Sequence, residues 1–175
     1  MSWQTFKIKT EKKFKRKPLY SNVYGWQIQP GTKWNPGLTP GEINDLESLF
    51  GFDFPTDYKE MLSVINGFDR DQISIDPEGT REDQFGGNMY TYPRDYEKSN
   101  WLTEEILEYI NYTKERLSDA GFDVDQLIGF VPLYAHRALA VFKDKSLSPV
   151  ISVHQGTDVI IYGHSLMEYW KNELK

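Results

Sequence analysis

Apolar positions along the chain fall into stretches of two different periods. Thr39-Pro40-Gly41-Glu42 predicts a helix start: Thr39 caps, Pro40 takes the first helical position and Glu42 completes a capping box. Ile43, Leu46, Leu49 and Phe50 then recur at helical spacing, and Gly51 ends the run. Pro55 opens a second helix with Tyr58, Met61, Leu62 and Ile65 on its apolar side, stopped by Asn66-Gly67. A third is predicted from about Thr103 to Ala120, with Leu102, Ile106, Ile110, Thr113 and Leu117 on one side and Gly121 after it. Ser165-Leu166-Met167-Glu168 is a second capping box, and Leu166, Tyr169, Trp170 and Leu174 give the last helix its apolar side.

Elsewhere the period drops to two. Phe6-Lys7-Ile8-Lys9 and Tyr24-Gly25-Trp26-Gln27-Ile28 alternate, which predicts short strands. Gln72–Asp76 and Met89–Tyr92 are short strand candidates among turn signals. Leu133–Phe142, Val150–His154 and Asp158–Tyr162 are β-rich runs joined by connections of hairpin type. Helices, short strands, a helix, a meander and a helix, in that order, predict an α+β fold. A small, mostly antiparallel central sheet is flanked by about four helices, without alternating βαβ units.

Length and charge narrow the function classes. The 175 residues suit one domain, and the chain has no cysteine, which excludes disulfide, zinc-ribbon, thiol and iron–sulfur chemistry. No apolar run approaches the ~20 residues of a membrane span, so a cytoplasmic protein without membrane partners is expected. The net charge of −6 hides an asymmetry. Residues 1–20 carry seven Lys/Arg and one Glu, leaving −12 on residues 21–175. The chain therefore divides into a basic arm, 1–20, and a single domain, 21–175. Between Asp69 and Asp125 stand 15 acids and six bases.

Candidate chemistry is sparse. There is no Gly-x-Ser-x-Gly motif, and the three histidines, His136, His154 and His164, fall in or beside the meander. They would bind a metal only if they converged, with Asp158 as a fourth ligand; otherwise they are ordinary half-buried strand residues. No cofactor and no catalytic residue is expected. The cluster Lys12-Lys13-Phe14-Lys15-Arg16-Lys17 attracts phosphate, but the acidic body repels a nucleic-acid backbone, so direct nucleic-acid binding is not expected. The alternatives are an arm lying on the acidic body and a lysine-rich edge that resists strand pairing. The acidic, aromatic-rich middle suits a basic protein partner, steered by charge and anchored by aromatics. Candidate contact residues are Asp69, Asp71, Glu78, Glu82, Asp83, Tyr90, Tyr92, Tyr96 and Trp101.

Several of these segments, in this order, resemble the SUKH superfamily of the Smi/Knr cell-wall-assembly-regulator type. They are Ile43-x-x-Leu46-Glu47, Phe54-Pro55-x-Asp57-Tyr58-Lys59, Ile65-Asn66-Gly67, Ile128-Gly129-Phe130-Val131-Pro132, and Ser165-Leu166-x-Glu168-Tyr169. The resemblance spans about Trp26 to Trp170. Tyr134-Ala135-His136-Arg137 departs from it where many members carry a Gly-Asp pair. The resemblance implies an α+β domain with a small central sheet. For bacterial members it implies a non-catalytic cytoplasmic immunity protein that neutralises a cognate toxin, often a nuclease. For fungal members it implies a regulatory module with a non-toxin partner. Asp57 and Asn66 have structural readings of their own, a helix first turn and a left-handed exit, beside a role in touching a partner.

Overall fold

The computed structural model describes residues 1–77, 81–82 and 89–174. The predicted α+β class holds, with all described strand pairings antiparallel. The largest sheet is a meander of β6 (Leu127–Tyr134), β7 (Arg137–Phe142), β8 (Val150–His154) and β9 (Asp158–Gly163). Two smaller sheets sit beside it. One joins β1 (Gly25–Gln27), β4 (Ile73–Ile75) and β5 (Arg81–Glu82); the other pairs β2 (Trp34–Pro36) with β3 (Ile65–Phe68).

Both faces of the meander are covered. Leu139 and Val141 of β7 point into a core shared with α1 (Trp3–Phe14), α2 (Pro40–Phe50), α3 (Thr56–Leu62) and α6 (Leu166–Glu173). Ala138, Ala140 and Phe142 face the opposite way, onto α4 (Tyr96–Glu108) and α5 (Ile110–Asp119). A strand buried on both sides needs no polar alternation. That is why Leu133–Phe142 reads as one apolar run, whereas the chain turns at Ala135-His136 and divides it between β6 and β7.

The first capping box forms as expected. Thr39 Oγ1 accepts from Glu42 N, and Glu42 Oε2 accepts from Thr39 N at 2.7 Å. At α6 Ser165 Oγ accepts from Glu168 N, but Glu168 Oε2 accepts from His164 N at 2.8 Å instead of from Ser165 N, so the expected second box is only half formed. Three expectations are corrected. Phe6–Lys9 is helical: Trp3, Phe6, Thr10 and Phe14 recur every three or four residues and are all buried, while Ile8, which a strand would have buried beside Phe6, is 59% exposed. The second helix stops at Leu62, and Ile65–Phe68 pairs as β3 instead of extending it. The predicted third helix is two, α4 and α5, broken at Tyr109, where φ −111° and ψ 31° leave the helical region.

The Pro-x-Asp and Asn-Gly segments tie these elements together. The Asp57 carboxylate accepts from Ser148 Oγ at 2.5 Å, and Ser148 Oγ in turn accepts from Leu166 N at the start of α6. Burial pushes the Asp57 carboxyl above the usual carboxylate range, against the pull of the Ser148 bond. Asn66 clamps the far side of the core: its Nδ2 donates to Tyr92 O at 2.6 Å, and its Oδ1 accepts from Tyr92 N at 3.0 Å. Gly67 follows with φ 77°, and a Cβ there would overlap the Thr91 side chain.

Candidate partner-binding site

Two turns lie side by side at one end of the meander. The β6–β7 turn runs through Ala135-His136 and the β8–β9 turn through Gln155-Gly156-Thr157. Val153 N donates to His136 O at 2.9 Å and ties the first turn to β8 just before the second. Ala135 and Gln155 have φ of 47° and 52°, left-handed values that cost a residue bearing a Cβ. Ala135 stands in the stretch that departs from the SUKH pattern, where a glycine would take such an angle freely.

These turns floor a depression of about 460 Å³. Trp26 of β1 and Trp101 of α4 form its aromatic walls, Glu105 stands on α4, and His136, Arg137 and His154 come from the sheet. The two imidazoles sit 5.6 Å apart, centroid to centroid. Burial, with Arg137 and His154 nearby, lowers the His136 pKa to about 4, so its ring is neutral at pH 7. Arg137 is held between the Tyr134 and Tyr162 rings, 5.3 and 5.1 Å from their centroids, and pairs with Glu173 at 3.6 Å. The depression thus offers aromatic faces, two imidazoles, one carboxylate and a fixed cation to whatever binds there.

The nine predicted contact residues separate. Tyr90 and Tyr92 are buried and belong to the core, not to a surface. Tyr92 packs against Phe50 and donates to Pro132 O, and Tyr90 donates to Ala135 O. Tyr96 is half-buried, edge-on to Phe50, with its hydroxyl on Leu49 O. Trp101 is 44% exposed at the depression, and its Nε1 donates to Tyr90 Oη at 3.2 Å. Tyr90 thus contributes from beneath, linking Trp101 to the strained Ala135. Asp69 and Asp71 are exposed in the loop before β4; the Asp69 carboxylate is paired with Arg70 and accepts from Lys33 N. Glu82 lies in β5, and Glu78 and Asp83 fall outside the described residues.

Sequence reasoning missed Trp26, His136, Arg137 and His154 as one site. His136 and His154 do converge, but His164 stacks on Phe122 elsewhere. Among the described residues no three His, Asp or Glu side chains gather as a metal site. The available signal was the Tyr134–Arg137 departure, which marks the turn that carries the strain. Among the described residues, no helix is long and apolar enough to cross a membrane.

The model of the SMI1 / KNR4 family (SUKH-1) matches residues 37–169, from just before α2 into α6. The matched span contains the Thr39 and Ser165 helix caps, the Asp57 and Asn66 clamps and the two turns. No curated protein and no solved structure matches the chain.

Proposed function

The chain belongs to the SMI1/KNR4 (SUKH-1) family, and from that premise we propose that it is a non-catalytic, cytoplasmic immunity protein that binds and neutralises a basic toxin domain. The observation that carries the reading is the half-exposed Trp101, seated on an acidic helix at the mouth of a preformed depression. A rigid indole held by a hydrogen bond loses little freedom on binding, and Trp and Arg dominate the energetics of protein interfaces. Glu97, Glu104 and Glu108 stand exposed on the same helix, and α5 adds Glu115 and Asp119. Such a rim steers a cationic surface toward the indole. A nuclease toxin, which must attract phosphate, presents that kind of surface.

Co-expression and pull-down with the toxin domain encoded beside this chain test the reading. A 1:1 complex that weakens with salt is expected, with affinity lowered at least tenfold by Trp101→Ala. Undiminished toxicity on co-expression would overturn it. Capture of a defined non-toxin partner through the same indole would point to the wall-regulator kind of module.

A further inference from the structure

Among the described residues, the cations of the first 20 residues form no ion pair with the acidic body; Lys7 and Lys13 reach only backbone carbonyls, of Val64 and Leu174. α1 buries Trp3, Phe6, Thr10 and Phe14, and Thr10 Oγ1 accepts from Trp34 Nε1 at 2.7 Å, so the helix is fixed in place. On the flank of that buried face, Lys12 and Lys13 each stand three or four residues from both Lys9 and Arg16. Lys17 and Tyr20 continue the row into the following loop. Together they line a groove of about 610 Å³ that contains no acidic side chain. Like charges at these steps repel one another and weaken a helix. Among the described residues, none of these cations pairs with a carboxylate; Lys13 Nζ instead donates to Leu174 O. The lysine-rich arm therefore does not neutralise itself on the acidic body. Burial and, secondarily, the charge of Lys13 lower the Lys17 pKa.

We propose that this groove is a binding site for a short oligophosphate, a chain of two or more linked phosphates carried by a nucleotide or present as the free inorganic anion. Three features select that chemistry. Five cations in one groove call for a ligand with dense negative charge, and Lys ammonium and Arg guanidinium groups are the usual phosphate donors. The volume falls in the range of small-molecule sites. A long polyanion leaving the groove would meet a body of net charge −12, whereas a short one stays within the basic surface. Tyr20, 49% exposed at the end of the row, offers a ring on which a nucleobase can stack. The groove lies outside the residues matched by the family and is independent of the Trp101 site.

The test is calorimetric titration of the full chain with sodium tripolyphosphate, with ATP and, separately, with a single-stranded oligonucleotide. Tripolyphosphate is expected to bind. Its affinity should fall at least tenfold in Lys12→Ala/Arg16→Ala and drop steeply between about 50 and about 200 mM salt. Both substituted side chains are exposed, so the circular dichroism spectrum should be retained. Lys114→Ala/Lys143→Ala, which removes two exposed lysines elsewhere, should leave binding unchanged. ATP binding tighter than tripolyphosphate assigns the nucleotide as the source, and the reverse order assigns the inorganic chain. Absence of tripolyphosphate binding at millimolar concentration overturns the proposal, as does equal binding by the double variant. Binding of the oligonucleotide while tripolyphosphate is silent overturns it too, in favour of nucleic acid.

Discussion

Asn66→Ala separates a structural role for the Asn-Gly segment from a partner-binding one. Asn66 is 5% exposed, and its amide satisfies both backbone groups of Tyr92. Truncation leaves a buried N–H and a buried C=O without those partners. Each such loss costs about 1–3 kcal/mol, so the pair predicts a destabilisation of about 2–6 kcal/mol. For a domain of ordinary stability, about 5–15 kcal/mol, that is a large share. Asn66→Asp is a useful second variant. It keeps an oxygen for Tyr92 N, loses the donor to Tyr92 O and places a carboxylate in the core, so it should be destabilised as well. Urea unfolding followed by circular dichroism reads the effect as a shift of midpoint at constant slope. A change below about 0.5 kcal/mol for Asn66→Ala, combined with lost partner binding, would refute the clamp and return Asn66 to the surface role.

Two further outcomes follow from the structure. Phe6→Ala removes a buried ring from α1 and should cost about 3–5 kcal/mol, whereas Ile8→Ala, two residues on but exposed, should stay within about 0.5 kcal/mol; equal effects in urea unfolding would contradict the helical placement of both. The depressed pKa of His136, about 4 against 6.5 in the unfolded chain, makes stability full above about pH 6.5 and diminishing as pH falls toward 4, because the unfolded chain takes up the proton first. The full shift corresponds to about 3 kcal/mol, which solvent screening at this half-buried ring reduces to about 1–2 kcal/mol. His136→Gln should remove that acid-side loss, and an unchanged slope between pH 6.5 and 4 in the variant would exclude His136 as its source.

The elements with strong local signals were legible in the sequence. A Thr-Pro-x-Glu or Ser-x-x-Glu cap declares a helix start through bonds made within four residues, and both helices begin where Thr39 and Ser165 cap them. α1 was misread because Phe6 and Ile8 alternate over four residues, while the period that matters needs Trp3, Thr10 and Phe14 as well. The break at Tyr109 depends on packing: α5 lies along β9, and the Tyr109 ring fills the space beside Gly156. No neighbouring residue in the sequence carries that information. The site was legible only in part for the same reason. Tyr90 and Tyr92 alternate with polar neighbours as surface strand residues would, yet both are sealed in by helix, sheet and Asn66. His136 and His154 meet because two hairpin turns end on the same side of the meander, and Trp26 joins them from β1 of a separate sheet.

The join between α1 and α6 bears on how the protein is made. Trp34 stands edge-on to Trp170 at 5.9 Å and close to both Phe6 and Phe14, and Lys13 reaches the carbonyl of Leu174. The aromatic rings of the first helix therefore lack part of their final packing until the stretch around Trp170 has been synthesised. At about 5–20 residues per second, that leaves the N-terminal aromatics without their late partners for roughly 10–30 s on the ribosome. Contacts spanning nearly the whole chain also slow folding after release. The lysines interleaved with those rings give the waiting segment a net positive charge, which keeps nascent copies apart while the late partners are still being made.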